Sequence, residues 1–185
     1  MGELRRVGGV KLICGMLSGD ADLLARAAQL LARSFGAVDL TSDTWPFDQT
    51  DYYEAEMGPN LLRRFVSFER LASPDQLASI KRETNALEER IADECVALGV
   101  RRPVNLDPGY VHSGKLVLAS TKDASHRIYL GHRVYAEVTL QYRHGQWRPQ
   151  EWTYADYRQG HYFPFFSEVR ERLLRALRSD EGETV

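Results

Sequence analysis

An α+β fold built on an antiparallel sheet is predicted for this chain, and three observations carry that expectation. Two stretches, 22–35 and 73–98, repeat apolar residues at helical spacing. Short runs rich in β-branched and aromatic residues stand before, between and after them. The resulting order is strand, helix, strand, strand, helix, strand. That is the split pattern of a ferredoxin-like βαββαβ core, here with an added antiparallel β-hairpin region and a C-terminal helix. Residues 1–178 are expected to form a single α+β domain, and the charged residues 179–185 a disordered tail.

Each element has its own signal. Val10 to Leu17 is a short apolar run interrupted by Gly15, which suits a buried strand better than a helix. Asp20 or Asp22 can cap the first helix, whose Leu23, Leu24, Ala27, Leu30 and Leu31 share a face, and Gly36 stops it. Ala37 to Phe47 is extended, with Pro46 confining any pairing to an edge or an end. Phe47 to Asn60 is an acidic, aromatic loop or short helix. Leu61 to Leu71 reads as a strand. Pro74 lies in the first turn of the second helix, which presents Leu77, Ile80, Thr84, Leu87, Ile91 and Cys95 on one side. Arg102 to Leu106 is the next strand, followed by a turn composition in Asp107-Pro108-Gly109-Tyr110. Further strands are expected at Lys115 to Thr121, His126 to Leu130, Val134 to Tyr142 and Trp147 to Thr153. Phe165, Phe166, Val169, Leu173 and Leu177 mark the apolar face of the last helix, 164–177.

Asn105 to Tyr142 carries more chemistry than an ordinary sheet needs. Apolar residues at Ile128 and Leu130 must share a face with Val134, Ala136, Val138 and Leu140, which fixes the hairpin register. A three-residue loop Gly131-His132-Arg133 satisfies it. Arg127 then lies opposite Glu137 and Tyr129 opposite Tyr135, with Thr139 on the same face. One account is a solvated polar face with a cross-strand salt bridge. The other is a concave polar site. In it Lys115, Lys122 and Arg127, with Ser120, Thr121, Tyr129 and the loop residue Tyr52, hold a phosphate or carboxylate. Glu137 and Asp107 are candidate general bases or metal ligands, and His126 a candidate acid–base group because its reference pKa is near neutral.

The segments KLICGML, FDQTDYYEAEMG, RFVSFERL, LDPGY, LASTKDASHRIYLG and WTYADYR resemble the bacterial domain of unknown function 4416 (DUF4416) family, in order and over nearly the whole chain. The resemblance implies a compact single-domain protein. It supplies no catalytic residues to carry over, so the candidates above rest on the residues themselves.

Several function classes lack their signatures. There is no phosphate-binding P-loop and no G-x-G-x-x-G after a strand. There is no H-E-x-x-H motif, no nucleophile elbow and no Cys/His set with zinc spacing. The five histidines are scattered. The two cysteines, Cys14 and Cys95, are expected to be buried reduced thiols. The sequence names no cofactor and no metal set, although the acidic residues Asp48, Asp51, Glu54 and Glu56 invite the question of a divalent cation shared with Glu137. A net charge of -2 gives no general pull toward nucleic acid or anionic membranes. No apolar run is long enough for a leader or a span, so a cytoplasmic location is expected. The sequence thus supports a protein that binds an anionic small molecule or nucleotide, with or without catalysis. A single-stranded RNA-binding module using Tyr129, Tyr135 and Arg127, and a protein-interaction domain, remain as alternatives.

Overall fold

The computed structural model describes residues 3 and 7–182. Its organising strand is β1 (Val10–Ser18), buried along its whole length because the sheet is covered on both faces. Helix α1 (Ala21–Phe35) follows, and Asp20 caps it by accepting from the backbone N–H groups of Asp22 and Leu23. The predicted extended stretch splits into β2 (Val38–Thr41) and β3 (Trp45–Pro46). Helix α2 (Glu54–Met57) is one turn inside the acidic loop. Strand β4 (Leu62–Ala72) leads through a capping box at Ser73 and Gln76 into α3 (Leu77–Glu94). Then come β5 (Asn105–His112), β6 (Lys115–Ser120), β7 (Ile128–Gly131), β8 (Val134–Arg143) and β9 (Gln146–Pro149). Helices α4 (Ala155–Arg158) and α5 (Phe163–Gly182) close the chain.

The nine strands among the described residues join one antiparallel sheet, in the order β2-β4-β1-β5-β6-β8-β7, with β3 on β4 and β9 on β8. Along β1, Leu12, Cys14 and Met16 pack under α1 and α3, with Val66, Phe68, Val104 and Leu106. Ile13 faces the other way, toward Phe65 and the α5 residues Phe165, Phe166 and Val169. Burial raises the Cys14 thiol far above its ordinary pKa, which leaves it inert. Most of the C-terminal aromatics are core: Trp147, Tyr157, Tyr162, Phe165 and Phe166 are buried, the last two on the apolar face predicted for α5, whereas Trp152 and Tyr154 are not. No described helix is long and apolar enough to cross a membrane.

Several local expectations are corrected. Asp107-Pro108-Gly109-Tyr110 is not a turn but the middle of β5, paired with β1 from Asn105↔Leu17 to Val111↔Lys11. Proline is unusual inside a sheet because it has no N–H to give. Here the β5–β6 ladder starts one residue later, at Gly109↔Leu118. Pro108 therefore sits where β5 and β6 part, and that parting opens the space described below. The β7–β8 register is as read from the alternation, with Tyr129↔Tyr135 and Ile128↔Ala136. The loop is shorter: Gly131 pairs with Val134 across a two-residue turn, His132-Arg133, both with positive φ. The pairing is irregular between Tyr129 and Gly131, where Leu130 is the extra residue. Ile128 and Leu130 are exposed, not core, because β7 is the sheet edge. Leu140 leaves the face of Val138 to join Leu116 beneath α5, since a bulge between β6 and β8 shifts the alternation. Helix α5 continues to Gly182, past the predicted end at Leu177; residues 183–185 lie outside the described residues.

Polar contacts anchor β2 and α5. Lys11 Nζ and Asp39 meet at 2.5 Å, Ser67 Oγ donates to Asp39 at 2.5 Å, and Arg172 Nη1 stands 3.8 Å away. Burial would raise the Asp39 carboxyl, but Lys11 and Ser67 outweigh it and hold the group below the usual carboxylate range. A depressed carboxyl adds stability above its unfolded pKa, about 3.9, and that stability is lost as pH falls through the folded value. Urea midpoints of the wild type are therefore expected to drop below about pH 4, and Asp39→Asn to flatten part of that drop. An Asp39→Asn variant with the wild-type acid profile would show that the cluster is not a linked charge pair.

Candidate functional site

The parting of β5 from β6 creates a cleft, roofed by the segment from Phe47 to Tyr53 and by Tyr154 and Ala155 ahead of and within α4. It has two chambers. The outer one, about 460 Å³, is lined by Tyr52, Tyr53, Lys81, Arg102, Asn105, Ser120, Thr121, Lys122 and Arg127, among others. The inner one, about 90 Å³, is lined by Phe47, Gln49, Arg63, Leu118, Asp156 and Tyr157. Thr50, Tyr53, Asp107, Ala119, Tyr154 and Ala155 border both.

Asp107 is the junction. Its carboxylate accepts from Asn105 Nδ2 at 2.7 Å and Arg63 Nη1 at 3.3 Å, and Lys81 Nζ lies 3.8 Å away. Its side chain keeps 27% exposure, so it faces the cleft. Burial pushes this carboxyl up, but Lys81 and Arg63 outweigh it and hold it below the ordinary range, so Asp107 is ionised at neutral pH. Lys81 is held by the Leu106 carbonyl at 2.8 Å. Beyond Asn105, Arg102 donates to the Asn105 side-chain oxygen and to Glu88 at 2.7 Å. Glu88 also accepts the Leu106 N–H at 2.7 Å. Burial raises the Glu88 carboxyl.

On the inner side, Arg63 spans from Asp107 to Asp156, whose carboxylate lies 3.4 Å from Nη2. Gly15 makes this possible: a Cβ there would come within 3.0 Å of Phe65 and 3.3 Å of Arg63 Nη1. Burial works against the Arg63 charge, but Asp156 and its neighbours raise its pKa further, so it stays cationic. Burial raises the Asp156 carboxyl, with Arg63 opposing. Burial also lifts the Tyr53 hydroxyl to about 12, which keeps it a hydrogen-bond donor.

The opposite wall is built on Glu137. This carboxylate is buried and accepts from Arg127 Nε at 2.9 Å and Thr139 Oγ1 at 3.2 Å, with His126 Nε2 at 3.1 Å. The His126 ring stacks on Trp152 with centroids 5.2 Å apart. Arg127 also donates to Ser120 Oγ at 2.9 Å, the Lys122 carbonyl at 2.8 Å and the Tyr154 hydroxyl at 2.6 Å. Most of its donors are thereby used, and its charge is fixed at the cleft rim. Lys122 reaches across to the Tyr52 hydroxyl and lies 4.6 Å from that ring's centroid.

Of the residues singled out in the sequence, Asp107, Ser120, Thr121, Lys122, Arg127 and Tyr52 line this cleft. Glu137 and His126 stand behind Arg127. Tyr129 lies on the exposed edge against Tyr135, and Lys115 pairs with His112 and Gln141 at the far end of β6. The acidic loop does not gather with Glu137; no group of three or more His, Cys, Asp or Glu converges among the described residues. Arg63, Lys81, Asn105, Arg102, Glu88 and Asp156 were missed. A signal existed for some of them. Arg63 alternates in phase with Phe65 and Ser67 in β4, and Lys81 and Glu88 occur on the buried side of α3.

The chain is thus a mixed helix and strand protein with one antiparallel sheet and a charged cleft. It belongs to the DUF4416 family, described as a domain of unknown function, whose model matches residues 8–173. No curated protein and no solved structure matches it.

Proposed function

We propose that the cleft binds an anionic small molecule carrying a phosphate or carboxylate, a nucleotide included. One observation carries the reading: four cationic side chains, Lys81, Arg102, Lys122 and Arg127, line the outer chamber, with Asp107 the one carboxylate among its lining residues. Glu88 and Glu137 stand behind two of these cations and orient them. Lys122, exposed and held only through Tyr52, is the point charge free to meet a ligand, while Lys81, buried and bonded to the Leu106 carbonyl, adds its charge from the wall, and Tyr52 and Tyr53 supply flat, polar-tipped surfaces. If the bound ligand reacts, ionised Asp107 is the group placed to take a proton from it, and Glu137 and His126 act by positioning Arg127. The order β2-β4-β1-β5, with α1 and α3 on one face, supports reading this half of the sheet as the ferredoxin-like core. RNA stacking is the less supported alternative, because Arg127 is 8% exposed and turned toward Glu137 rather than lying with Tyr129.

Isothermal titration with inorganic phosphate, pyrophosphate and citrate tests the reading. At least one is expected to bind, and Lys122→Ala to weaken it about tenfold without moving the urea midpoint, since Lys122 is exposed. No heat and no melting shift with any of the three at millimolar concentration would sink it.

A further inference from the structure

The two chambers of the cleft differ in chemistry, and the difference bears on what is attached to the anionic group. The outer chamber is rich in cations. The inner one holds a single guanidinium, Arg63, between two carboxylates, Asp107 and Asp156. An anion has no reason to enter it. Its walls are the rings of Phe47, Tyr53 and Tyr157 with the side chain of Leu118, and its polar groups are hydrogen-bonding ones. Two of its lining residues carry buried polar atoms without any partner among the described residues: Arg63 Nε and the Tyr157 hydroxyl. Buried donors are satisfied in most proteins, and exceptions point to an absent partner.

A group that can both give and accept hydrogen bonds answers this set. It would donate to Asp107 or Asp156 and accept from Arg63 or Tyr157. Hydroxyls do both. An aromatic and aliphatic wall beside paired carboxylates suits carbon-bound hydroxyls better than water alone. The inner chamber, about 90 Å³, has room for several water-sized groups, enough to admit a two- or three-carbon hydroxylated fragment.

We infer that the ligand is a phosphorylated polyol or sugar, with its phosphate in the outer chamber at Lys122 and Lys81 and its hydroxylated carbons in the inner chamber against Asp156, Arg63 and Tyr157. This rests on the anion-binding reading above and assigns the other half of the same ligand.

The test compares inorganic phosphate, propyl phosphate and glycerol 3-phosphate by isothermal titration. The last two share a head group and a three-carbon chain and differ in hydroxyls. Glycerol 3-phosphate is expected to bind about tenfold tighter than propyl phosphate. Tyr157→Phe should abolish that advantage and leave phosphate affinity unchanged. The variant removes only an oxygen that has no partner, so it is expected to fold at least as stably as the wild type. Asp156→Asn is the second variant, expected to reduce the same advantage. Equal binding of the two esters, or a Tyr157→Phe protein that keeps the full preference, overturns the inference while leaving the anion reading intact. Failure of phosphate and both esters to bind overturns the inference, and failure of pyrophosphate and citrate as well overturns both.

Discussion

Replacing Arg127 with alanine is expected to destabilise the protein by about 3–5 kcal/mol, the scale on which removing one partner of a buried ion pair is felt. The Arg127 and Glu137 side chains are 8% and 1% exposed, so little solvent screening reduces the effect. The loss is larger than the pair's net worth, because the variant strands the other charge. Glu137 would keep only Thr139 and His126, neither of which carries a fixed positive charge. Ser120 Oγ, the Lys122 carbonyl and the Tyr154 hydroxyl would lose their donor at the same time. Arg127→Lys should recover only part of the loss, since an ammonium cannot span four acceptors spread around a planar fork. Urea unfolding at pH 7 measures both variants. An Arg127→Ala unfolding free energy within about 0.5 kcal/mol of wild type, the range of an ordinary surface substitution, would mean that Glu137 does not depend on this partner. The same argument makes Arg127→Ala a poor probe of binding, and it is why Lys122, exposed and held only through Tyr52, is the better one.

What the sequence made legible follows from the range of the interactions involved. The hairpin register was readable because alternation along β7 and β8 is a local property, and a one-residue slip would invert every side chain. Arg127 beside Glu137 came with it. What failed lay at the margins of that alternation. Ile128 and Leu130 obey the period yet are exposed, because periodicity says which residues share a face and not whether anything covers that face. Leu140 changed face through a bulge in its own strand, where Thr139 is the extra residue between the Leu116 and Val117 pairings, and only the pairing with β6 reveals it. Asp107-Pro108-Gly109 looked like a turn because turns are where proline and glycine are common. In the folded sheet they have another use: proline marks the end of one ladder, and glycine admits a close neighbour.

The inner half of the cleft was the least legible part. Arg63 comes from β4, Asp107 from β5 and Asp156 from α4, and no spacing in the chain relates them. Only the charge was visible: an arginine in phase with Phe65 and Ser67, on a strand whose central residues Phe65, Val66, Ser67 and Phe68 are buried. A buried cation needs a carboxylate, so the sequence could have said that a partner exists without saying which.

Gly109→Ala is the second substitution with a large expected effect. A Cβ at this position would lie 2.3 Å from the Val117 carbonyl oxygen, 2.6 Å from Leu118 Cδ2 and 3.2 Å from Leu118 Cα. A flexible side chain could yield, but the first and third contacts are backbone, so β6 itself must move away from β5. Gly109↔Leu118 is the first pair of that ladder. Separation there would propagate through Tyr110↔Val117 and Val111↔Leu116, and Leu116 and Val111 are both core. Overpacking a core usually costs about 1–3 kcal/mol, and a clash with main chain belongs at or beyond the upper end of that range. Gly114→Ala is the matched control, because nothing lies within 4 Å of its added methyl; its stability should stay within about 0.5 kcal/mol of wild type. Parallel urea titrations decide the matter. If Gly109→Ala is as stable as Gly114→Ala, then β6 is free to shift at this point, and the cleft it borders is an adjustable gap rather than a fixed one. If the variant is destabilised but still folds, its cleft is expected to be wider at Ala119 and Ser120, and its affinity for phosphate should fall with the spreading of Ser120, Lys122 and Arg127 from Asp107.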